Sequence, residues 1–326
     1  MRRFIKIIAA LFFLGAAVML ISSSWLEQTT AAAGPLPSDT LVYIPAGSSI
    51  KAIEKELLNA GAIVNGTAFT LSARWKNRAA HLKAGEYLFP AHASINDLIA
   101  QLQGGKTYYH QITLAEGLTS AEITELLNSN SVLSGSIVNM PAEGSLLPET
   151  YSFSRNDERQ TVIKRMQEAM QAELETLWPQ RAAGLPLKSK EEAVILASIV
   201  EKETGIAAER PRVAGVFINR LNKKIPLQTD PTVIYALTQG RKKLERALTY
   251  DDLKIPSPYN TYLVQGLPPA PIANPGRDSL RAVLNPENND YLYFVADGSG
   301  GHVFAATLQE HNKNVQNWKK IKKNLK

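Results

Sequence analysis

Residues 189–205 read Ser-Lys-Glu-Glu-Ala-Val-Ile-Leu-Ala-Ser-Ile-Val-Glu-Lys-Glu-Thr-Gly, and this run decides how the second half of the chain is understood. Ser189 ahead of two acids is an N-cap signature and Gly205 a stop, so the apolar run between them predicts a helix over 191–204. With Ile199 at zero and about 100° per residue, Ile195 falls at about −40°, Leu196 at about +60° and Val200 at about +100°. Glu203 falls at about +40°, inside that apolar face, whereas Glu201 falls at about 200°, on the far side. The spacing therefore predicts a solvated Glu201 and an inward Glu203. A carboxyl among apolar neighbours resists ionisation and its pKa rises. Holding a proton near neutral pH is what a general acid in glycosidic bond cleavage needs. A helix end that projects into water is the alternative reading of the same residue.

Around this helix the pattern predicts further helices over 162–177, ended by Trp178-Pro179, and over 211–221, with Pro211 in its first turn. Residues 226–275 are rich in Pro, Asn, Gly and Thr and lack periodicity, and a connection of that length usually carries function. In it, Tyr235, Tyr259 and Tyr262 are candidates to stack on sugar rings, and Gln228 and Asn260 to bond hydroxyl or acetamido groups. Residues 291–296 and 302–305, joined by Asp297-Gly298-Ser299-Gly300-Gly301, predict a hairpin, followed by a helix over 307–323. Towards the N-terminus one theme occurs three times: strand 41–44 before a Ser49-capped helix 50–59, strand 87–89 before a Ser94-capped helix 95–102, and strand 110–114 before a Thr119-Ser120-capped helix 121–127. Their apolar spacing gives each helix one buried stripe. Such small strand–helix units next to a membrane resemble LysM-like modules, which bind glycans.

The 326 residues include no cysteine and five histidines, none paired at ligand spacing. Disulfides, thiolate metal sites and a cysteine nucleophile are thereby excluded, and no cofactor or metal is expected. Hydrophobic residues form 44% and charged residues 20% of the chain, an ordinary globular balance. The net charge of +6 sits at the ends: Arg2, Arg3 and Lys6 at one, and Lys313, Lys319, Lys320, Lys322, Lys323 and Lys326 at the other. The body between is mildly acidic, which argues against a nucleic-acid groove. Those N-terminal cations precede an apolar run from Ile7 to Ile21, extended by Ser22–Leu26, just long enough to span a bilayer with its N-terminus inside. A retained anchor is favoured over a signal peptide cleaved near Ala31-Ala32-Ala33, because the apolar stretch exceeds a typical signal core. The expected organisation is α+β: an anchor over 1–28, a Pro/Ala/Gly linker over 29–40, a LysM-like α+β region over 41–148, and a mixed α/β catalytic domain over 149–326 with a C-terminal hairpin and helix.

Several stretches of this chain resemble the MltG or YceG-like family of endolytic murein transglycosylases. They are Ala197–Thr204, Val216–Leu221, Leu227–Tyr235, Tyr259–Tyr262, Gly266–Pro269 with Pro271-Ile272, Asn274–Gly276 and Tyr291–Ala296. The resemblance implies that Glu203, the second acid of Glu-Lys-Glu-Thr, is the catalytic residue. It implies substrate contacts from Glu149, Gln228, Thr229, Asp230, Tyr259, Asn260 and Tyr262. Relatives usually carry Asp at position 149 and often Gly at position 270, where this chain has Glu and Ala. The implied activity cleaves the N-acetylmuramic acid–N-acetylglucosamine bond of nascent strands, leaves anhydro ends and limits strand length. The implied partners are glycan strands and membrane-bound peptidoglycan synthases (penicillin-binding proteins), at the bacterial inner membrane with the catalytic domain outside the cytoplasm. Two rivals stay open: a muramidase-type hydrolase pairing Glu203 with Glu149 or Asp230, and a non-catalytic, membrane-tethered glycan-binding scaffold.

Overall fold

A computed structural model describes residues 2–75 and 81–324; Lys326 of the lysine-rich end lies outside them. The chain forms two compact units, one of residues up to His110 with Phe153–Arg155, the other of Gln111–Ser152 with the chain from Asn156 onward.

The first unit opens with α1, Arg2–Ala31, which carries no charged residue between Lys6 and Glu27. Strand β1, Thr40–Ile44, runs antiparallel to β2, Gly85–Phe89, with Leu41 opposite Leu88. Between them lie α2, Ile50–Asn59, and α3, Gly66–Arg74; α4, Ile95–Gly104, follows. Ser49, Asn65 and Ser94 cap these helices through their side chains, Ser94 in a full capping box with Asp97. The alternation of β1 buries Val42 and Ile44, which meet Leu57, Phe69, Phe89 and Leu98 in one core. Helix α3 was not anticipated, because its short run of Gly, Thr, Ala and Ser carries little periodicity.

The expected linker behaves differently. Helix α1 runs on to Ala31, and Thr30 is buried. A Cβ on Gly34 would stand 2.0 Å from the Ala93 carbonyl oxygen, and its amide donates to the His92 carbonyl at 3.0 Å. Leu36 is in the core. Composition suggested a flexible joint, but Thr30, Gly34 and Leu36 tie the stretch to the unit at three points, while residues 31–33, 35 and 37–39 are exposed.

The second unit holds all but the outermost residues, His110 and Phe153, of β3, His110–Thr113, and β4, Thr150–Phe153, which pair with the Thr113 and Thr150 hydroxyls 2.9 Å apart. The helices are α5, Ser120–Ser129; α6, Arg159–Leu177; α7, Lys190–Glu203; α8, Arg210–Asn222; α9, Asp230–Thr238; and α10, Arg277–Leu284. The chain closes with the antiparallel pair β5, Tyr293–Ala296, and β6, His302–Ala305, then α11, Leu308–Asn324. Helix α7 is central: every residue from Ala193 to Val200 is buried, against α8, α10 and Leu147. Leu147 belongs to this core and Asn274 bonds the Leu146 amide and the Leu118 carbonyl, so residues 111–148 pack here instead of with the first unit. Among the described residues every sheet is two-stranded. The whole is α+β, and the second unit is mostly helical instead of mixed α/β, because its four-residue strands pair only two by two and build no larger sheet. Helix α9 lies inside the segment read as irregular, entered through Asp230-Pro231 at its first turn.

Candidate active site

Helix α7 stops at Glu203. Its last turn closes with the Thr204 amide on the Val200 carbonyl at 3.3 Å, and Thr204 is already extended. The Thr204 hydroxyl then accepts from the Ile206 amide at 3.1 Å. The chain turns away one residue beyond the acid, so Glu203 borders a cleft of about 490 Å³. Phe217 and Arg220 of α8, Leu227, Tyr293 and Phe294 of β5, and Leu308 of α11 form much of its wall. Gln228, Asp230, Tyr262, His311 and Asn312 supply polar groups.

Two loops are pinned to each other to make this wall. The Gln228 amide donates to the Thr261 carbonyl at 3.0 Å, and the Thr229 amide to the Thr261 hydroxyl at 3.0 Å. Thr232 and Thr261 hydroxyls meet at 2.8 Å, fully buried. The left-handed φ of 51° at Gln228 turns Leu227 inward and leaves Gln228 exposed at the cleft. The Tyr262 hydroxyl donates to Asp230 at 2.6 Å, joining the two loops across the opening.

The Glu203 carboxyl is pushed up to about 7, first by withdrawal from water and then by the negative charge of Asp230; the Thr229 hydroxyl and the Arg220 charge pull the other way. Glu203 as a whole residue is half-buried, but its pKa responds to what surrounds the carboxyl, and there desolvation dominates. Thr229 is buried and its hydroxyl has no fully formed hydrogen bond of its own. Arg220 is buried, and burial holds its pKa below the usual arginine range. Its guanidinium donates to the carbonyls of Leu292 at 2.7 Å, Pro226 at 3.1 Å and Leu227 at 3.0 Å, and lies 5.1 Å from the Tyr293 ring centre. A fixed cation and an acid of raised pKa thus share one partly enclosed site, able to give and take a proton near neutral pH.

A match to the model of the YceG-like family covers residues 42–317. The chain belongs to the YceG-like family. Curated relatives include an endolytic murein transglycosylase of Bacillus subtilis, 36% identical over 305 residues covering 83% of this chain and 82% of that protein. Another, from Streptococcus pneumoniae, is 32% identical over 84% of this chain, which spans 57% of that longer protein. A crystal structure of a yceG-like protein from Listeria monocytogenes is similar at a TM-score of 0.52 and 32% identity, covering 85% of this chain and 99% of the other.

Within the residues shared with the YceG-like family, the structure sorts roles that the sequence left together. Gln228, Asp230 and Tyr262 line the Glu203 cleft and Thr229 backs it. Asn260 is fully buried: its Nδ2 donates to the Leu253 and Ile255 carbonyls at 3.0 and 2.9 Å, and its Oδ1 accepts from the Tyr262 amide at 3.0 Å. All its polar capacity shapes the loop, so it is not free to bond a sugar. Tyr259 does not line the cleft and packs on Tyr235 at 4.9 Å between centroids; Tyr235 in turn bonds Glu143 at 3.4 Å. Glu149 is exposed, 3.0 Å from Arg277 Nε, and is not among the cleft residues. Glu201 is not solvated: its side chain is 4% exposed, bonded to Arg210 at 2.9 Å and to the Gly276 amide at 2.9 Å. Because α7 is surrounded, its far side is interior as well.

Sequence reasoning missed Arg220, Tyr293, Phe294, Leu308, His311 and Asn312 as site residues. Arg220 carried a signal, a cation within the apolar run Val216–Leu221. His311 carried none: it stands 108 positions from Glu203 and meets the cleft only through the folding of α11. It stacks on Tyr293 at 5.0 Å, and burial followed by the Arg220 charge lowers its pKa.

Proposed function

We propose that this chain is an endolytic lytic transglycosylase of peptidoglycan, with Glu203 as its single acid–base residue. The observation that carries the reading is Glu203 at the end of a buried helix, its pKa near 7, facing a cleft built for a polar substrate. In the reaction, protonated Glu203 donates to the oxygen linking N-acetylmuramic acid to N-acetylglucosamine, and the anomeric carbon–oxygen bond breaks. The substrate's acetamido group stabilises the developing positive charge. Glu203, now a carboxylate, takes the proton from the muramic acid primary hydroxyl, whose oxygen closes on the anomeric carbon. The proton moves from one substrate oxygen to the other and no water is consumed, giving an anhydro end. One carboxylate acting in both directions works best with a pKa near the operating pH. Gln228, Asp230 and Tyr262 position the sugar, with Thr229 behind them.

A muramidase-type hydrolysis is the second reading, favoured by Asp230 in the same cleft, since hydrolysis usually employs two carboxylates. Mass spectrometry of digested glycan strands separates them: anhydro ends are expected, and reducing ends would replace this reading with the hydrolase. Glu203→Gln is expected to lower the rate by roughly 10²-fold or more. An unchanged rate would point to another acid or to a glycan-binding scaffold.

The β1–α2–α3–β2 order, strand, two helices, strand, supports the LysM-like reading of the first unit and a glycan-binding role for it. Helix α1 fits a single-pass anchor with its N-terminus in the cytoplasm, which holds the enzyme where new strands emerge, beside membrane-bound peptidoglycan synthases. Cutting there sets how long strands grow.

A further inference from the structure

A groove of about 880 Å³ belongs to the first unit and shares no residue with the Glu203 cleft. Its one wall is the outer half of α1, with Met19, Ile21, Trp25 and Leu26; its other includes Leu71 and Trp75 at the end of α3. The two walls are fixed relative to each other. Asn96 Nδ2 donates to the buried Thr30 hydroxyl at 3.2 Å, and Leu26 packs against the core of the unit. Leu71 is 46% exposed and Trp75 54% exposed. On α3 the core positions are Ala68, Phe69 and Ala73, so Leu71 and Trp75 lie outside the core of the unit.

Depth follows from α1. Its uncharged run from Ile7 to Leu26 is 20 residues, about 30 Å of helix, which matches the hydrocarbon thickness of a bilayer. Met19 then lies about 10 Å inside the outer boundary. A groove walled by Met19 and Ile21 on one side and by Leu71 and Trp75 on the other brings the end of α3 to the level of the outer leaflet. Tryptophan is favoured at that level, and the exposed Arg74 beside it can reach the headgroups.

We propose that the end of α3 is a second membrane contact: Leu71 and Trp75 insert into the outer interface of the bilayer that α1 spans, and lipid chains fill the groove between them. The inference rests on α1 being a retained anchor. Its consequence is that the first unit is held in one orientation against the lipid surface instead of swinging on a single helix.

The absence of cysteine makes the test direct. Leu71→Cys, Trp75→Cys, Phe12→Cys and Val64→Cys variants of the full chain, each carrying a nitroxide, are reconstituted in nanodiscs of phosphatidylethanolamine and phosphatidylglycerol. Collision with oxygen is compared with collision with a water-soluble nickel chelate. Val64, just before the other end of α3 and 82% exposed, reports water. The oxygen-to-nickel ratio at positions 71 and 75 is expected to exceed that at 64 severalfold and to approach that at 12. Values at 71 and 75 equal to that at 64, with 12 lipid-like, overturn the proposal alone, as does low access to both reagents at 71 and 75. A water-like value at 12 overturns the anchor reading and the proposal with it.

Discussion

Glu201 and Glu203 are two positions apart on one helix and do opposite things. Glu201 is an ionic brace, sharing Arg210 with Glu116 and accepting the Gly276 amide, whereas Glu203 has no direct ion pair among the described residues. Raising the Glu203 pKa from its ordinary value to about 7 makes its ionisation costly to the fold. Below about pH 4.5 both folded and unfolded chains carry the proton and nothing is lost. Between about 4.5 and 7 the unfolded chain releases it first, so stability falls, by as much as about 3 kcal/mol, and stays level above. Glu203→Gln is therefore expected to melt at the wild-type temperature at pH 4 and several degrees above it at pH 8, measured by calorimetry. Equal melting temperatures at both would show that the carboxyl is fully hydrated. Asp230→Asn keeps an acceptor for Tyr262 while removing a charge that raises the Glu203 pKa. Its kcat/KM is expected to fall off with rising pH earlier than the wild-type value does; a limb that does not move, or moves up, contradicts the assigned coupling.

At the scale of elements, the site is made by how segments are tied. Arg220 fastens α8 to the start of the hairpin and to the 226–228 turn through carbonyl oxygens. Thr229, Thr232 and Thr261 bind the entry of α9 to the loop carrying Tyr262. Thr261→Val keeps the volume and removes two hydrogen bonds from a buried position, a loss on the order of 2 kcal/mol. Because that loop also places Tyr262 and Asp230, KM for glycan strands is expected to rise more than kcat falls, with denaturation curves reporting the stability loss. An unchanged KM would mean that the loops hold their places without this bond. The helix boundaries followed from caps and stops visible in the residues, as with Ser94, Thr119 and Ser189. What was hidden is the company each element keeps: Asn260 and Thr261 are neighbours in a motif, yet both are buried scaffolding, while Tyr262 beside them reaches the cleft.

For the whole molecule, the apolar helix α1 and the Glu203 cleft belong to one chain, and the proposed tethering can be separated from chemistry. A form lacking residues 1–28 is expected to cut isolated glycan strands in solution but to leave strands abnormally long in cells that lack the native gene. Normal strand lengths with the soluble form would show that membrane attachment is dispensable. The apolar N-terminal helix, the α+β class, most helices of both units, the hairpin and the inward placement of Glu203 were legible in the residues, because each rests on local patterning of charge, caps and periodicity. Residues 29–40 resemble a linker in composition but are pinned at Thr30, Gly34 and Leu36, which composition does not show, since only the neighbouring Ala93 backbone makes Gly34 necessary. Glu201 could not be read as interior, because helical periodicity reports which face is apolar but not whether a second set of elements covers the other. The cleft walls from Tyr293 and His311 came from tertiary structure alone: a pocket is a coincidence of distant segments in space, and its dielectric, which sets the Glu203 pKa, exists only once they have closed around it.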